Sequence, residues 1–238
     1  MTLPLTNAAD ISKDDGTYLL YAGPGIGKTS TLKYLDGNAL LIDIDHTSHV
    51  LQGEKHIDVF KFDSHEAWKK WADLMKDLAK MDLSKYDTIV FDNLSELTHS
   101  MLGNMGREGN NNRVPTMMNY QQIDFMIIDS VRFLKGLGKR LVFFAWEDTT
   151  EWQTQGGQVF NRSMPMLRDK IRPNLMGLCD VVGKLVMSSK TGQRGYLLSP
   201  TDEVMVKNQL DSRDFCLQED IFKVGYVPSK DDADVPTS

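Results

Sequence analysis

An α/β fold with a mostly parallel central sheet is predicted by three features of the chain. Short apolar runs alternate with stretches of helical period along most of its length. One such run, Tyr18, Leu19, Leu20 and Tyr21, feeds a loop with Gly23, Gly25 and Gly27, then Lys28-Thr29, then a helical pattern. Another, Thr88–Asp92 (TIVFD), is a strand-forming run that ends in an acid.

The strand, Gly-rich loop and helix around residues 18–35 match the layout of a phosphate-binding P-loop. Its glycines let the backbone curl so that N–H groups face inward toward phosphate oxygens. The positive end of the expected helix dipole adds to that pull. The nucleotide-binding segment is therefore Gly23, Pro24, Gly25, Ile26, Gly27, Lys28, Thr29 and Ser30. Lys28 is expected at the β- and γ-phosphates of ATP, and the Thr29 hydroxyl on Mg²⁺. One departure stands out: the pattern G-x-x-x-x-G-K-[ST] places a glycine at position 22, where this chain has Ala22.

Past a turn at Asp36-Gly37-Asn38, residues 39–44 (ALLIDI) read as a buried strand and residues 57–62 as a third. Ser64 is the expected N-cap of a helix reaching about Met81, with Trp68, Trp71, Leu74, Met75 and Leu78 on its apolar face. In a chain that opens with a P-loop, Thr88–Asp92 reads as the Walker B strand, with Asp92 in the Mg²⁺ shell. Residues 103–115 hold three Gly and four Asn and read as a mobile loop. A helix is predicted over residues 117–137, ended by Gly138, and a buried strand over residues 141–146 (LVFFAW). Periodicity is lost over residues 147–174, which read as a second long loop. Residues 180–188 and 195–199 form a predicted β-hairpin around Thr191-Gly192, with short strands at 204–206 and 221–227.

At 238 residues the chain is long enough for one domain with an ample core, assigned to residues 1–228. Residues 229–238 carry three Asp against one Lys and read as an acidic, disordered tail. The formal net charge of −6 excludes a protein that coats nucleic acid with its whole surface, though not one with a local basic groove. Residues 1–10 have no basic n-region, and no stretch approaches the roughly 20 apolar residues of a membrane span. Cys179 and Cys216 stand alone without C-x-x-C spacing and read as buried thiols. A cytoplasmic setting without membrane contact is the expectation.

The order of P-loop, acid-ending strand, Walker B strand, mobile loop, helix, strand, second loop and hairpin resembles the RecA-type ATPase core, over about residues 16–210. That resemblance implies a three-layer P-loop NTPase. It also implies roles for single residues. Asp45, in LIDIDH, matches the position that activates the attacking water, where the family usually has Glu. Asp92 matches the Walker B acid, and Glu147 falls where the family keeps a Gln that senses the γ-phosphate. Lys207 matches a position that donates a cation to the neighbouring subunit's nucleotide, while Gln209 replaces a second cation. A homo-oligomer or filament is implied. The compact chain looks most like the phage-encoded single-strand annealing ATPases of the Sak-four type, for which single-stranded DNA and a single-strand binding protein are the implied partners.

The second loop also has chemistry suited to single-stranded DNA on its own terms. It interleaves Trp152 and Phe160 with Arg162, Arg168, Lys170 and Arg172, as stacking with phosphate neutralisation requires. Acids at 147, 148, 151 and 169 temper it. Two other classes share the opening motif: a helicase or helicase loader built on the same core, and a nucleoside or metabolite kinase with residues 162–172 as a basic lid.

Overall fold

The computed structural model describes residues 5–10, 16–153 and 156–225, so the predicted acidic tail at 229–238 lies outside the described residues. Strands β1 (Thr17–Ala22), β2 (Ala39–Asp43), β3 (Ile57–Lys61) and β4 (Thr88–Asp92) form where apolar runs were read. Helices α1 (Ala67–Leu78), α2 (Leu94–Glu108), α3 (Met117–Lys135) and α4 (Arg172–Leu178) complete the helical layer. The remaining strands are β5 (Arg140–Gln153), β6 (Val159–Pro165), β7 (Val181–Met187), β8 (Arg194–Leu197), β9 (Lys207–Asn208) and β10 (Phe215–Leu217).

The sheet order is β10-β8-β7-β1-β5-β4-β2-β3, with β6 on β5 and β9 on β7. Strands β7, β1, β5, β4, β2 and β3 run parallel, and β8 returns antiparallel on β7. Strand alternation sends each run into two cores. Leu19 and Tyr21 of β1, Ile89 and Phe91 of β4 and Leu141 and Phe143 of β5 pack with the helices. Tyr18 and Leu20, Val90, and Val142 and Phe144 enter the core on the opposite face. The fold is thus a three-layer α/β arrangement with a mostly parallel sheet.

The second outer layer departs from expectation. The helix after the P-loop is a 3₁₀ segment, Thr29–Tyr34, held by bonds such as Thr31 N–H to Lys28 C=O at 3.0 Å. Thr29, Ser30 and Thr31 are weak helix formers, and Leu35 turns extended (ψ 135°) to enter the core before Gly37 reverses the chain at φ +76°. So short a segment adds little dipole, and the phosphate site rests on the loop itself.

Other boundaries moved for identifiable reasons. Asp63, not Ser64, caps the turn before α1 by accepting His65 N–H at 3.0 Å; Ser64 Oγ instead donates to Ile44 C=O at 2.6 Å. The first predicted loop is half helix, because α2 continues to Glu108. Its small and polar residues serve close packing there. A Cβ on Gly106 would meet the Arg113 carbonyl at 2.6 Å, and buried Asn104 accepts Trp68 N–H at 3.0 Å. Helix α3 ends at Lys135 with Gly136 as its C-cap, and Gly138 supplies the φ +64° bend beyond.

The second predicted loop is largely a β-hairpin. Strand β5 runs past Trp146 and pairs antiparallel with β6, in a register that sets Trp152 opposite Phe160. The signal was the run of Thr149, Thr150, Trp152, Val159 and Phe160, all strand formers, around a turn where Gly157 adopts φ +84°. Interleaved acids hid its alternation.

The β7–β8 hairpin matches the sequence reading, with Gly192 at φ +72° in its turn. Strand β9 lies one residue beyond the predicted 204–206 strand, where Val204 makes only a single bridge to Ser163. Of the predicted strand at 221–227, residues 221–225 form a turn instead, and 226–227 lie outside the described residues. Buried Ile221 and Phe222 plug the sheet, Phe222 meeting Tyr18 edge-on at 5.5 Å, while β10 forms just upstream. Both cysteines are buried and free.

Candidate nucleotide site

All parallel strands end at one edge of the sheet, and the chemistry-bearing residues gather there. The loop leaving β1 uses positive φ at Gly25 (+76°) and Gly27 (+106°), a region open to glycine. Ala22 is the last residue of β1 and pairs with Trp146 of β5. An extended residue needs no glycine, which explains why the departure from the motif is tolerated. Lys28 Nζ folds back over the loop and donates to Ala22 C=O at 3.2 Å.

Beside the loop lies a cavity of about 500 Å³, lined among others by Gly25, Gly27, Lys28, Thr29, Asp45, Thr47, Asp92, Trp146 and Arg194. Thr29 Oγ1 donates to Asp92 Oδ2 at 2.5 Å. The second Asp92 oxygen, Oδ1, is buried with no hydrogen-bond partner among the described residues. Burial, reinforced by the Asp45 charge, pushes the Asp92 carboxyl up to about 7 against the opposing pull of Thr29 and Lys28.

Asp45 sits just past β2. Its Oδ1 accepts Thr47 Oγ1 at 2.7 Å and its Oδ2 accepts Asn93 Nδ2 at 2.6 Å. Burial raises its pKa, and the nearby Asp43 charge adds to that, while the two hydrogen bonds oppose it. Burial also lowers the pKa of Lys28, countered by Asp92, Asp45 and Glu147. Asp43 points into the same turn but is engaged structurally, accepting the N–H groups of Thr47 at 3.1 Å and Ser48 at 3.4 Å.

This donor set fits a nucleotide carrying Mg²⁺. Among the described residues no group of three or more His, Cys, Asp or Glu side chains is placed to hold a metal alone. Mg²⁺ in phosphate sites takes one or two protein oxygens and draws the rest from phosphates and water. Thr29 Oγ1 and the unpartnered Asp92 oxygen are such a pair, and Lys28 stands beside them.

Other assigned residues are placed differently. Glu147 turns from the cavity: its Oε1 accepts Ser163 Oγ at 2.7 Å and pairs with Lys184 Nζ at 2.9 Å. Burial works to raise its pKa, but these partners and the Gly23 N–H outweigh it and hold the carboxyl low. Lys207 pairs with Val182 near the start of β7, and its ammonium donates to Met176 C=O at 3.1 Å and Gly177 C=O at 3.3 Å. It caps the end of α4 and does not join this chain's own cavity.

The expected DNA-contacting cations are dispersed. Arg168 pairs with Asp124 at 2.9 Å and stacks over the Tyr120 ring at 4.3 Å. Arg172 is nearly buried, donating to Pro165 C=O at 3.0 Å and Leu167 C=O at 2.6 Å and pairing with Asp169 at 2.8 Å. Both are engaged within the fold. Lys170 is exposed, and half-buried Arg162 stands opposite Thr150 on the hairpin.

Sequence reasoning missed Thr47 and Asn93, although each lies within two residues of an assigned acid. It also missed Lys184, Arg194 and Gln218, which no local pattern marks because the fold alone brings them to the loop.

Among solved structures, the KaiC-like protein PH0186 from Pyrococcus horikoshii OT3 is 12% identical over 77% of each chain, with a TM-score of 0.42. The RadB recombinase is 11% identical, covering 77% of this chain and 80% of its own, with a TM-score of 0.46. No curated protein matches the sequence. The family profile of the AAA domain, AAA_24, matches residues 15–210, the span from the start of β1 past β9. Profile and phosphate loop agree: the chain belongs to the AAA domain family AAA_24, a P-loop ATPase type.

Proposed function

We propose that this chain is a Mg²⁺-dependent ATPase of RecA-like type that acts on single-stranded DNA, in the manner of a recombination or annealing protein. The observation that carries the reading is the meeting of Lys28, the Thr29–Asp92 pair and Asp45 around one cavity.

Lys28 is placed to meet the β- and γ-phosphates, and the loop N–H groups to fix the polyphosphate. Thr29 Oγ1 and Asp92 would hold Mg²⁺, which when bound would supply positive charge against the negative charge developing on the phosphates. Asp45, oriented by Thr47 and Asn93, is the group that takes a proton from the attacking water. Glu147 is a weaker base, since Lys184 and Ser163 hold its carboxylate low and turned away.

Support for DNA as partner comes from the β5–β6 hairpin. It grows directly from the strand that ends at the cavity and sets Trp152 and Phe160 in register. Glu147 joins the two, touching Gly23 of the loop and Ser163 of β6. The kinase reading loses support, because Arg168 and Arg172 are fastened to the body and give residues 162–172 no lid. A site shared between subunits finds no support in Lys207, which is engaged on α4.

The test is ATP turnover with and without a single-stranded oligonucleotide, in the wild-type protein and in Phe160→Ala. Stimulation by DNA is expected, with roughly tenfold weaker apparent DNA affinity in the variant, since a stacked base contributes about 1–3 kcal/mol. Turnover indifferent to DNA, or equal DNA affinity in both proteins, would remove the DNA half of the reading.

A further inference from the structure

Arg194 is a cation that lies against the phosphate loop and that none of the motifs accounts for. It begins β8, opposite Met187 at the end of β7, so the hairpin delivers it to the same sheet edge as the loop from β1. Its guanidinium lies over Gly27: a Cβ there would stand 3.2 Å from Arg194 Cζ. The φ of +106° at Gly27 favours glycine, and the missing Cβ leaves the guanidinium room to lie close. The Arg194 Nε is buried and has no hydrogen-bond partner among the described residues. A buried donor left without a partner is costly, and a ligand that supplies the acceptor removes the cost.

Arg194 also lines two cavities at once. One is the cavity of about 500 Å³ holding Lys28, Thr29 and Asp92. The other, about 210 Å³, is lined by Arg194 with Tyr34, Gln193, Gln218 and Glu219 among others. Buried Gln218, in the lining of the smaller cavity, is tied to the phosphate loop by donating through Nε2 to Gly27 C=O at 2.8 Å and to Thr31 Oγ1 at 2.9 Å. Asp45, Asp92 and Thr29 line the larger cavity and are absent from the smaller one, and Arg194 is the side chain the two share.

We propose that Arg194 is a nucleotide contact supplied by the chain's own β8, which binds the phosphate nearest the nucleoside and directs the nucleoside into the smaller polar cavity. The inference rests on the nucleotide-binding reading above. The planar fork of an arginine suits two oxygens of one phosphate, which a point charge such as Lys28 does not match. Gln193, Gln218 and Glu219 offer donors and acceptors to the ribose and base.

The experiment is equilibrium titration of Mg-ATP and Mg-ADP into the wild-type protein, Arg194→Gln, Arg194→Lys and Lys28→Ala. Arg194→Gln is expected to weaken ATP and ADP by the same factor, roughly tenfold or more, because both carry the phosphate it holds. Arg194→Lys recovers part of that loss, and Lys28→Ala weakens ATP more than ADP. Unchanged affinities in a folded Arg194→Gln protein overturn the proposal, as does a loss confined to ATP, which would put Arg194 at the terminal phosphate. A wild-type protein that binds neither nucleotide refutes the nucleotide reading itself. If Arg194→Gln fails to fold, phenylglyoxal labelling of the wild-type protein, mapped by mass spectrometry, decides: bound Mg-ADP must shield Arg194, and equal labelling with and without it contradicts the contact.

Discussion

Two acids near one loop have different surroundings, and the proposed function gives them different work. Asp92 is fully enclosed with one oxygen unpartnered among the described residues, while Asp45 is half-buried and has each oxygen held by a side chain. Asp45→Asn keeps the size and the Thr47 contact but cannot accept a proton. ATP affinity should therefore persist while turnover falls roughly 100-fold, measured by steady-state phosphate release. Glu147→Gln should reduce turnover far less and act instead on the Lys184 and Ser163 contacts that tie the loop to β6. The reverse ranking would exchange their roles. The gathering of Lys28, Thr29 and Asp92 at one cavity was legible because each belongs to a short local pattern. Arg194 was not, since its place depends on β8 lying beside β7 and on Gly27 leaving room for it.

Among the elements, β-strands whose residues alternate between two cores were the easiest to read, as β1, β2 and β4 show. Elements without a clean period were not. The segment Thr29–Tyr34 is too short and too rich in Thr to make an α-helix, and the β5–β6 hairpin carries acids where alternation would otherwise show. Helix α1 is the opposite case. Trp71 is 1% exposed, meets Phe91 at 5.5 Å and Phe62 at 6.2 Å, and donates Nε1–H to Ser130 of α3 at 2.8 Å. Trp71→Ala should cost about 3–5 kcal/mol of unfolding free energy. Trp71→Phe keeps most of the ring packing but leaves Ser130 Oγ without its donor, so a smaller loss is expected. Denaturant melts of the two variants read the difference; equal stability of all three proteins would show that α1 is not fixed through this ring.

At the scale of the whole molecule, one geometric fact organises the rest. Six parallel strands end at a common edge, and β1 stands between β5 and β7, so loops diverge on either side of the phosphate loop. The carboxylates arrive from β2 and β4 on one side, and Arg194 from β8 on the other. No helix among the described residues is long and apolar enough to cross a membrane. The central claim is that this edge binds and hydrolyses a nucleoside triphosphate, and single-turnover hydrolysis of Mg-ATP by the wild-type protein and Lys28→Ala tests it most directly. The wild-type protein should convert bound ATP to ADP and phosphate, and Lys28→Ala, folded by circular dichroism, should do so roughly 100-fold more slowly or not at all. Equal rates in the two folded proteins, or no hydrolysis by the wild-type protein with Mg²⁺ and single-stranded DNA present, would contradict the account.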